Sequence, residues 1–235
     1  MALNTGLACR RMTFQWPGTA ETQPALLSAV EAEFPLGSVS LITGGTGAGK
    51  STLLHLLAGL LRPTAGEVWA AGQPVSRWPA RHRDPWRRQV GIVFQHLALV
   101  PDMTAGENLL LPLIPRGMDW PGMQEAIRRQ LAAVDLLSLA QSPVHALSGG
   151  QRQRLAIARA LVGRPRFVLA DEPTAFQDDR HSERIAAQMG AIAGEGAVVV
   201  ICSHDPRLRF APEIDQRFHL VAGQLTSVDA QQASP

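Results

Sequence analysis

Residues Gly44 to Thr52 read GGTGAGKST and hold the only lysine of the chain, Lys50; every other basic residue among its 22 Lys plus Arg is arginine. A lone lysine among glycines points to a chemical need. Glycines let the backbone turn until successive N–H groups face inward, where they can meet phosphate oxygens. Lysine adds a compact point charge on a flexible stem that can lie along such a loop and reach β and γ phosphates, where a planar guanidinium would not fit. The spacing GxxxxGK[ST] is satisfied by Gly44, Gly45, Thr46, Gly47, Ala48, Gly49, Lys50 and Ser51, with Thr52 next in line. Ser51 stands where its hydroxyl could reach Mg²⁺. The bland alternative is a Gly-rich turn with a surface lysine.

A second group narrows the chemistry. In RFVLADEP, Asp171 and Glu172 follow an apolar run, and the carboxyl ends of strands are where open α/β sheets bind ligands. Asp171 could hold Mg²⁺ through water, and Glu172 could orient and polarise a water attacking a γ phosphate, because phosphoryl transfer depends mainly on positioning. In isolation such a pair is as often a solvated acidic turn.

The elements that must position these groups are visible as patterns. VSLIT, 39–43, is a compact β-branched run leading into the glycines, and STLLHLLAGL after them has helical composition ending near Gly59 and Pro63. That order is strand, loop, helix, with the helix N-terminus facing the anion. MTFQW, AVEAEF and GEVWAAGQPV predict short strands on the N-terminal side. VGIVF, RFVLA and AVVVIC predict strands of a parallel sheet buried on both faces. From about Thr104 to Ala146 the composition shifts to Leu, Ala, Gln and Arg, which reads as a mostly helical insertion.

Composition sets limits on function. With 235 residues and 46% hydrophobic content the chain can bury a sizeable core as one large α/β domain or two small ones, and a net charge of +2 gives no global argument for nucleic acid. Cys9 and Cys202 cannot form a disulfide framework and read as buried, inert thiols. No apolar run approaches the roughly 18 to 20 residues that span a bilayer, so a soluble chain is expected. GLAC at Gly6–Cys9 hints at lipidation, yet nothing basic precedes it and the apolar stretch is too short for a secretory signal.

At LSGGQRQRLAIARAL, Leu147 to Leu161, the sequence resembles the signature motif of the ATP-binding cassette (ABC) ATPases, followed as in that family by the strand carrying ADEP. Ser148 reads as a helix N-cap, and Gly149 and Gly150 permit close backbone approach. The resemblance implies an α/β P-loop fold of the ABC type. Its mostly parallel core sheet is flanked by helices, with an N-terminal antiparallel β subdomain and a helical subdomain carrying the signature. It further implies one cassette over 1–235, divided into 1–95 plus 163–235 and a helical part 96–162. ATP and Mg²⁺ are the implied ligands. Gln95 in GIVFQH matches the Q-loop glutamine, which touches the metal or the lytic water. His204 in VVVICSHD matches the switch histidine at the γ phosphate, and Trp16 in TFQWPG stands where an aromatic stacks on adenine. A core tryptophan is the competing reading for Trp16, and Phe14 is a weaker candidate. The loop after Glu172 reads TAFQDD: Asp178 keeps the family's aspartate position, but Gln177 replaces the usual leucine.

The same resemblance implies that two cassettes pair head to tail, each ATP lying between the phosphate loop of one and Leu147, Ser148, Gly149, Gly150 and Gln151 of the other. The partner would be a second copy or a homologous cassette. A separate integral membrane subunit would receive the motion, with this chain peripheral on the cytoplasmic face of the inner membrane. HLALVPDMTAGENLLLPL after Gln95 is similar to the cassettes of lipoprotein-release, macrolide-efflux and cell-division systems, the LolD, MacB and FtsE group. Two rivals stand beside this. One is an ATPase acting on nucleic acid, for which RWPARHRDPWRR, 77–88, offers arginines between Trp78 and Trp86; such a run is more often a solvated face, and no nucleic-acid partner is expected. The other is a nucleotide-binding scaffold with little turnover.

Overall fold

The structure, a computed structural model, describes residues 6–19 and 23–228. Period-two alternation on its N-terminal side forms β1 (Leu7–Phe14), β2 (Leu27–Phe34) and β4 (Ala65–Ala70), which pair antiparallel in the order β2-β1-β4. Cys9 sits in the middle of β1, opposite Ala32 and Val68, and is buried, which removes it as a lipidation site. β1 ends at Phe14, so Trp16 stands just past the strand.

The second sheet has the order β5-β6-β7-β3-β8-β9. β3 (Ser38–Thr43), β5 (Val90–Val93), β6 (Phe167–Asp171) and β7 (Val198–Cys202) are the strands read from sequence, and all their pairings are parallel. All five residues of β6 and of β7 are buried, as continuous apolar runs require when both faces are covered. β8 (Gln216–Val221) and β9 (Gln224–Ser227) extend the sheet beyond that reading, β8 parallel to β3 and β9 closing the edge antiparallel.

Helix α1 (Lys50–Leu57) lies between the two sheets: Leu53, Leu54, Leu56 and Leu57 share one core with Leu7, Phe34, Phe167 and Val200. Short α2 (Ala80–Arg87) closes that core with Trp86. On the other face of the large sheet, α5 (Gly149–Leu161) and α6 (Asp179–Gly194) contribute Ile157, Leu161, Ile185 and Met189 to a second core. The insertion holds α3 (Ala105–Leu110), α4 (Trp120–Ala133) and short 3₁₀ turns around a third core, where Leu109 and Leu131 meet Leu155, Ala158 and Val162. α5 is therefore apolar on two stripes: 157, 160 and 161 face the sheet, while 155, 158 and 162 face the insertion. The four-residue α7 (Pro206–Arg209) follows β7. Among the described residues no helix is long and apolar enough to cross a membrane.

Candidate functional site

The carboxyl ends of β3, β6 and β7 lie side by side in one parallel sheet, so the segments that follow them converge. After Thr43 the chain enters the glycine loop. Gly44 has φ +154°, and a Cβ there would stand 2.4 Å from the Leu220 carbonyl oxygen of β8, so no larger residue fits. Gly49 takes φ +101° and opens α1 with no side-chain cap and no acidic residue in the first turn. Those first-turn N–H groups are left for an anion. Lys50 folds back along the loop, and its Nζ donates to the carbonyl oxygens of Gly44 at 2.8 Å and Gly45 at 3.0 Å.

Opposite the loop, Asp171 ends β6 and Glu172 follows it with φ +51°, both buried. Burial lifts the Asp171 carboxyl above the ordinary range; the hydrogen bond from Ser51 works against that, and the neighbouring Glu172 charge adds to it. Glu172 accepts from Ser203 Oγ at 2.7 Å and from the His204 backbone N–H at 3.1 Å, and His204 Nδ1 lies 2.7 Å from its Oε1. The His204 side chain is otherwise 78% exposed. The His204 backbone N–H also reaches Oε2 at 3.3 Å, so both carboxylate oxygens of Glu172 are held.

These groups line a single cavity of about 590 Å³, shared by Gly44, Gly45, Thr46, Gly47, Gly49, Lys50, Ser51, Thr52, Gln95, Asp171, Glu172, His204 and Trp16. Ala48 alone of the loop packs instead against the inter-sheet core. Trp16 is 47% exposed and meets the edge of Phe14 at a centroid distance of 5.0 Å, whereas Phe14 is buried. Trp16 is thus no core tryptophan, and Phe14 is withdrawn as a stacking candidate. Among the described residues no group of three or more His, Cys, Asp or Glu could hold a metal ion. Ser51 and Asp171, joined by a hydrogen bond, offer the one or two protein oxygens through which Mg²⁺, keeping several waters, binds beside phosphates.

The signature residues lie elsewhere. Leu147 is buried in the insertion core, Ser148 caps α5, and Gln151 completes a capping box with it. None of Leu147, Ser148, Gly149, Gly150 or Gln151 lines the cavity. Asp178 is also outside it and caps α6 through His181 N–H at 2.8 Å.

The sequence model of the ABC transporter family matches residues 27–175. Over 182 residues the chain is 38% identical to the cell division ATP-binding protein FtsE of Escherichia coli strain K12, a stretch covering 77% of this chain and 82% of that protein. The chain belongs to the ABC transporter family. As a cassette of this family it binds and hydrolyses ATP. The dimeric bacterial cassette structure of MJ0796 superposes with a TM-score of 0.88 at 30% identity, covering 95% of this chain and 98% of that one. A dimeric post-hydrolysis state of the same cassette, bound to ADP and Pi, gives 0.87 at the same identity and coverage.

Several residues of this cassette's site carry no motif that sequence reasoning caught. Ser203 holds Glu172; its only signal is adjacency to His204. Gln153, buried on α5, donates to the carbonyl oxygens of Glu172 at 3.1 Å and Pro173 at 3.0 Å, tying the signature helix to the carboxylate loop. Leu26 lines the cavity beside Gly49. One reading is corrected outright: Trp86 in the arginine-rich segment is only 2% exposed and packs edge-on against Phe167 at 4.6 Å, because α2 uses it to close the core. Trp78 packs against the same core. The segment is therefore neither a wholly solvated face nor a pair of free stacking rings.

Proposed function

We propose that this chain is the ATP-hydrolysing subunit of a two-cassette machine that drives a separately encoded membrane subunit. The observation that carries the reading is the division of the site. One cavity gathers a phosphate loop, two carboxylates, Gln95 and His204, while the signature turn of the same chain stays outside it. A second copy, placed head to tail, would bring its Ser148–Gln151 turn to the open side of that cavity. The dimeric MJ0796 structures, at 30% identity, support such pairing.

Within the cavity, Lys50, the loop N–H groups from Gly44 to Gly49 and the first turn of α1 through Thr52 would bind the phosphates, and Trp16 would stack on the adenine. Ser51 and Asp171 would hold Mg²⁺, with Gln95 at its edge; when bound, that ion neutralises charge on the β and γ phosphates. Glu172 would orient a water in line with the γ phosphorus and accept its proton as the new O–P bond forms and the bond to the β-phosphate oxygen breaks. His204, held by Glu172 at Nδ1, would present its other nitrogen to the γ phosphate. Asp178 would sit at the seam between cassettes. We divide the cassette at 1–95 plus 163–235 and 96–162, a division supported by the separate core of the insertion.

We further place the chain on the cytoplasmic face of the inner membrane through its partner, within the group that includes the cell-division cassette FtsE, at 38% identity. A nucleotide-binding scaffold with little turnover is a second reading compatible with that likeness. Nucleic acid is not a proposed partner.

Replacing Glu172 by Gln tests the proposal. Hydrolysis is expected to fall by orders of magnitude while ATP binding persists. The ATP-bound protein should accumulate as a closed pair in light scattering, or as occluded nucleotide in complex with the membrane subunit. Wild-type turnover in Glu172→Gln would show that the base is another residue.

A further inference from the structure

The TAFQDD loop departs from the family pattern at Gln177, and that residue is engaged at both ends. Its side-chain Nε2 donates to the carbonyl oxygen of Gly150 in the signature turn at 3.2 Å, a bond leucine could not make. Its own carbonyl oxygen accepts from Arg207 Nη1 at 3.3 Å. Phe176, beside it, is 81% exposed with φ +61°, so the loop is not held by burial of its own side chains.

Arg207 is the hub. Its Nη1 also donates to Asp179 at 2.8 Å, and its Nε and Nη2 fork onto Asp205 at 2.9 and 2.8 Å. Asp205 accepts in addition from Thr174 Oγ at 2.6 Å. Burial alone would raise the Asp205 carboxyl, but the hydrogen bonds from Arg207 and Thr174 hold it below the ordinary range. The Asp205 backbone N–H donates to Ser203 Oγ at 3.1 Å, and Ser203 Oγ donates to Glu172 at 2.7 Å. An unbroken path of hydrogen bonds thus runs from Gly150 through Gln177, Arg207, Asp205 and Ser203 to Glu172.

We propose that Arg207 is a positioning residue that couples Glu172, which serves the chain's own ATP, to its signature turn, which serves the ATP of the partner cassette. This rests on the site reading above. Movement of the signature turn onto one ATP would then be felt at the carboxylate facing the other, and the two sites would fire together.

The test compares steady-state ATPase of the full chain in wild type, Arg207→Ala, Arg207→Lys, Gln177→Leu and Glu172→Gln. Arg207→Ala is expected to lower kcat by about tenfold, keep KM within about twofold, and reduce the Hill coefficient for ATP. Gln177→Leu should reduce the Hill coefficient too, and combining it with Arg207→Ala should add nothing further. Arg207→Lys keeps the charge but not the planar fork that reaches Asp205, Asp179 and Gln177 together, so recovery should be partial. Unchanged melting of each variant separates positioning from misfolding. Turnover that depends on Glu172 yet is unmoved by Arg207→Ala, full recovery by lysine, or multiplicative effects in the double variant would each overturn the coupling. Turnover indifferent to Glu172→Gln would instead overturn the site reading, and the coupling with it.

Discussion

Lys50→Ala removes the chain's one lysine from a loop folded around it. In the structure Nζ makes two hydrogen bonds, to Gly44 and Gly45 carbonyl oxygens. Losing both should cost the empty protein about 2 kcal/mol, at about 1 kcal/mol net each, so melting should fall by about 4–8 °C for a chain of this size. The bound state loses more. A unit charge about 4 Å from a phosphate oxygen, at an effective dielectric near 20, contributes about 4 kcal/mol, and an open cavity halves that to about 2. Adding about 1.5 kcal/mol for the charge-assisted hydrogen bond gives about 3.5 kcal/mol, or roughly 300- to 400-fold in Kd. Isothermal calorimetry with Mg-ATP on wild type and variant measures this directly. Lys50→Arg should also fail to bind productively, since a planar guanidinium cannot sit between two carbonyls 2.8 and 3.0 Å from a single nitrogen. An affinity within about threefold of wild type, roughly 0.7 kcal/mol, in either variant would refute the reasoning.

Other expectations follow from the same geometry. Trp16→Ala should weaken ATP binding by about 5- to 30-fold, the worth of one stacked ring, and leave kcat at saturating ATP in place; unchanged affinity would return Trp16 to an ordinary surface residue. Trp86→Ala should cost about 3–5 kcal/mol in urea unfolding, because a ring packed on Phe167 leaves a cavity. A loss under about 1 kcal/mol, or tight and salt-dependent oligonucleotide binding by the wild type, would revive a nucleic-acid role for this segment. The two thiols should resist an aromatic disulfide reagent at pH 8 until the chain unfolds, since burial pushes Cys9 up to about 12 and Cys202 well above its usual value. Rapid labelling of the folded protein would contradict that.

Much of the site was legible because it is local. Gly44 to Thr52 and LSGGQ each draw their chemistry from neighbours in sequence: left-handed glycines, a helix start, a capping Ser148 with Gln151 three residues on. Asp171 and Glu172 were legible as the end of an apolar run. β8 was missed although Phe218 and Leu220 alternate into the core, because its strand identity rests on pairing with β3 about 175 residues earlier. Trp86 looked like part of a basic surface because the arginines around it dominate the pattern, and only the packing of α2 on Phe167 turns it inward.

The sequence by itself determined which chemistry is possible here: a phosphate loop with its lysine, a carboxylate pair, a signature turn, and the family to which such an order belongs. Residue type and short spacing suffice for that, since backbone conformation and capping are set within a turn or two. Tertiary structure alone decided who touches whom. It joined Trp16, Gln95, Glu172 and His204 into one cavity and left the signature outside it. It also chose Ser203 and Gln153 as the residues that hold Glu172 and its loop, and Arg207 as the hub between two motifs. Those contacts join parts of the chain far apart in sequence. They form only when parallel strands with long crossovers bring their carboxyl ends together, an arrangement no local pattern encodes.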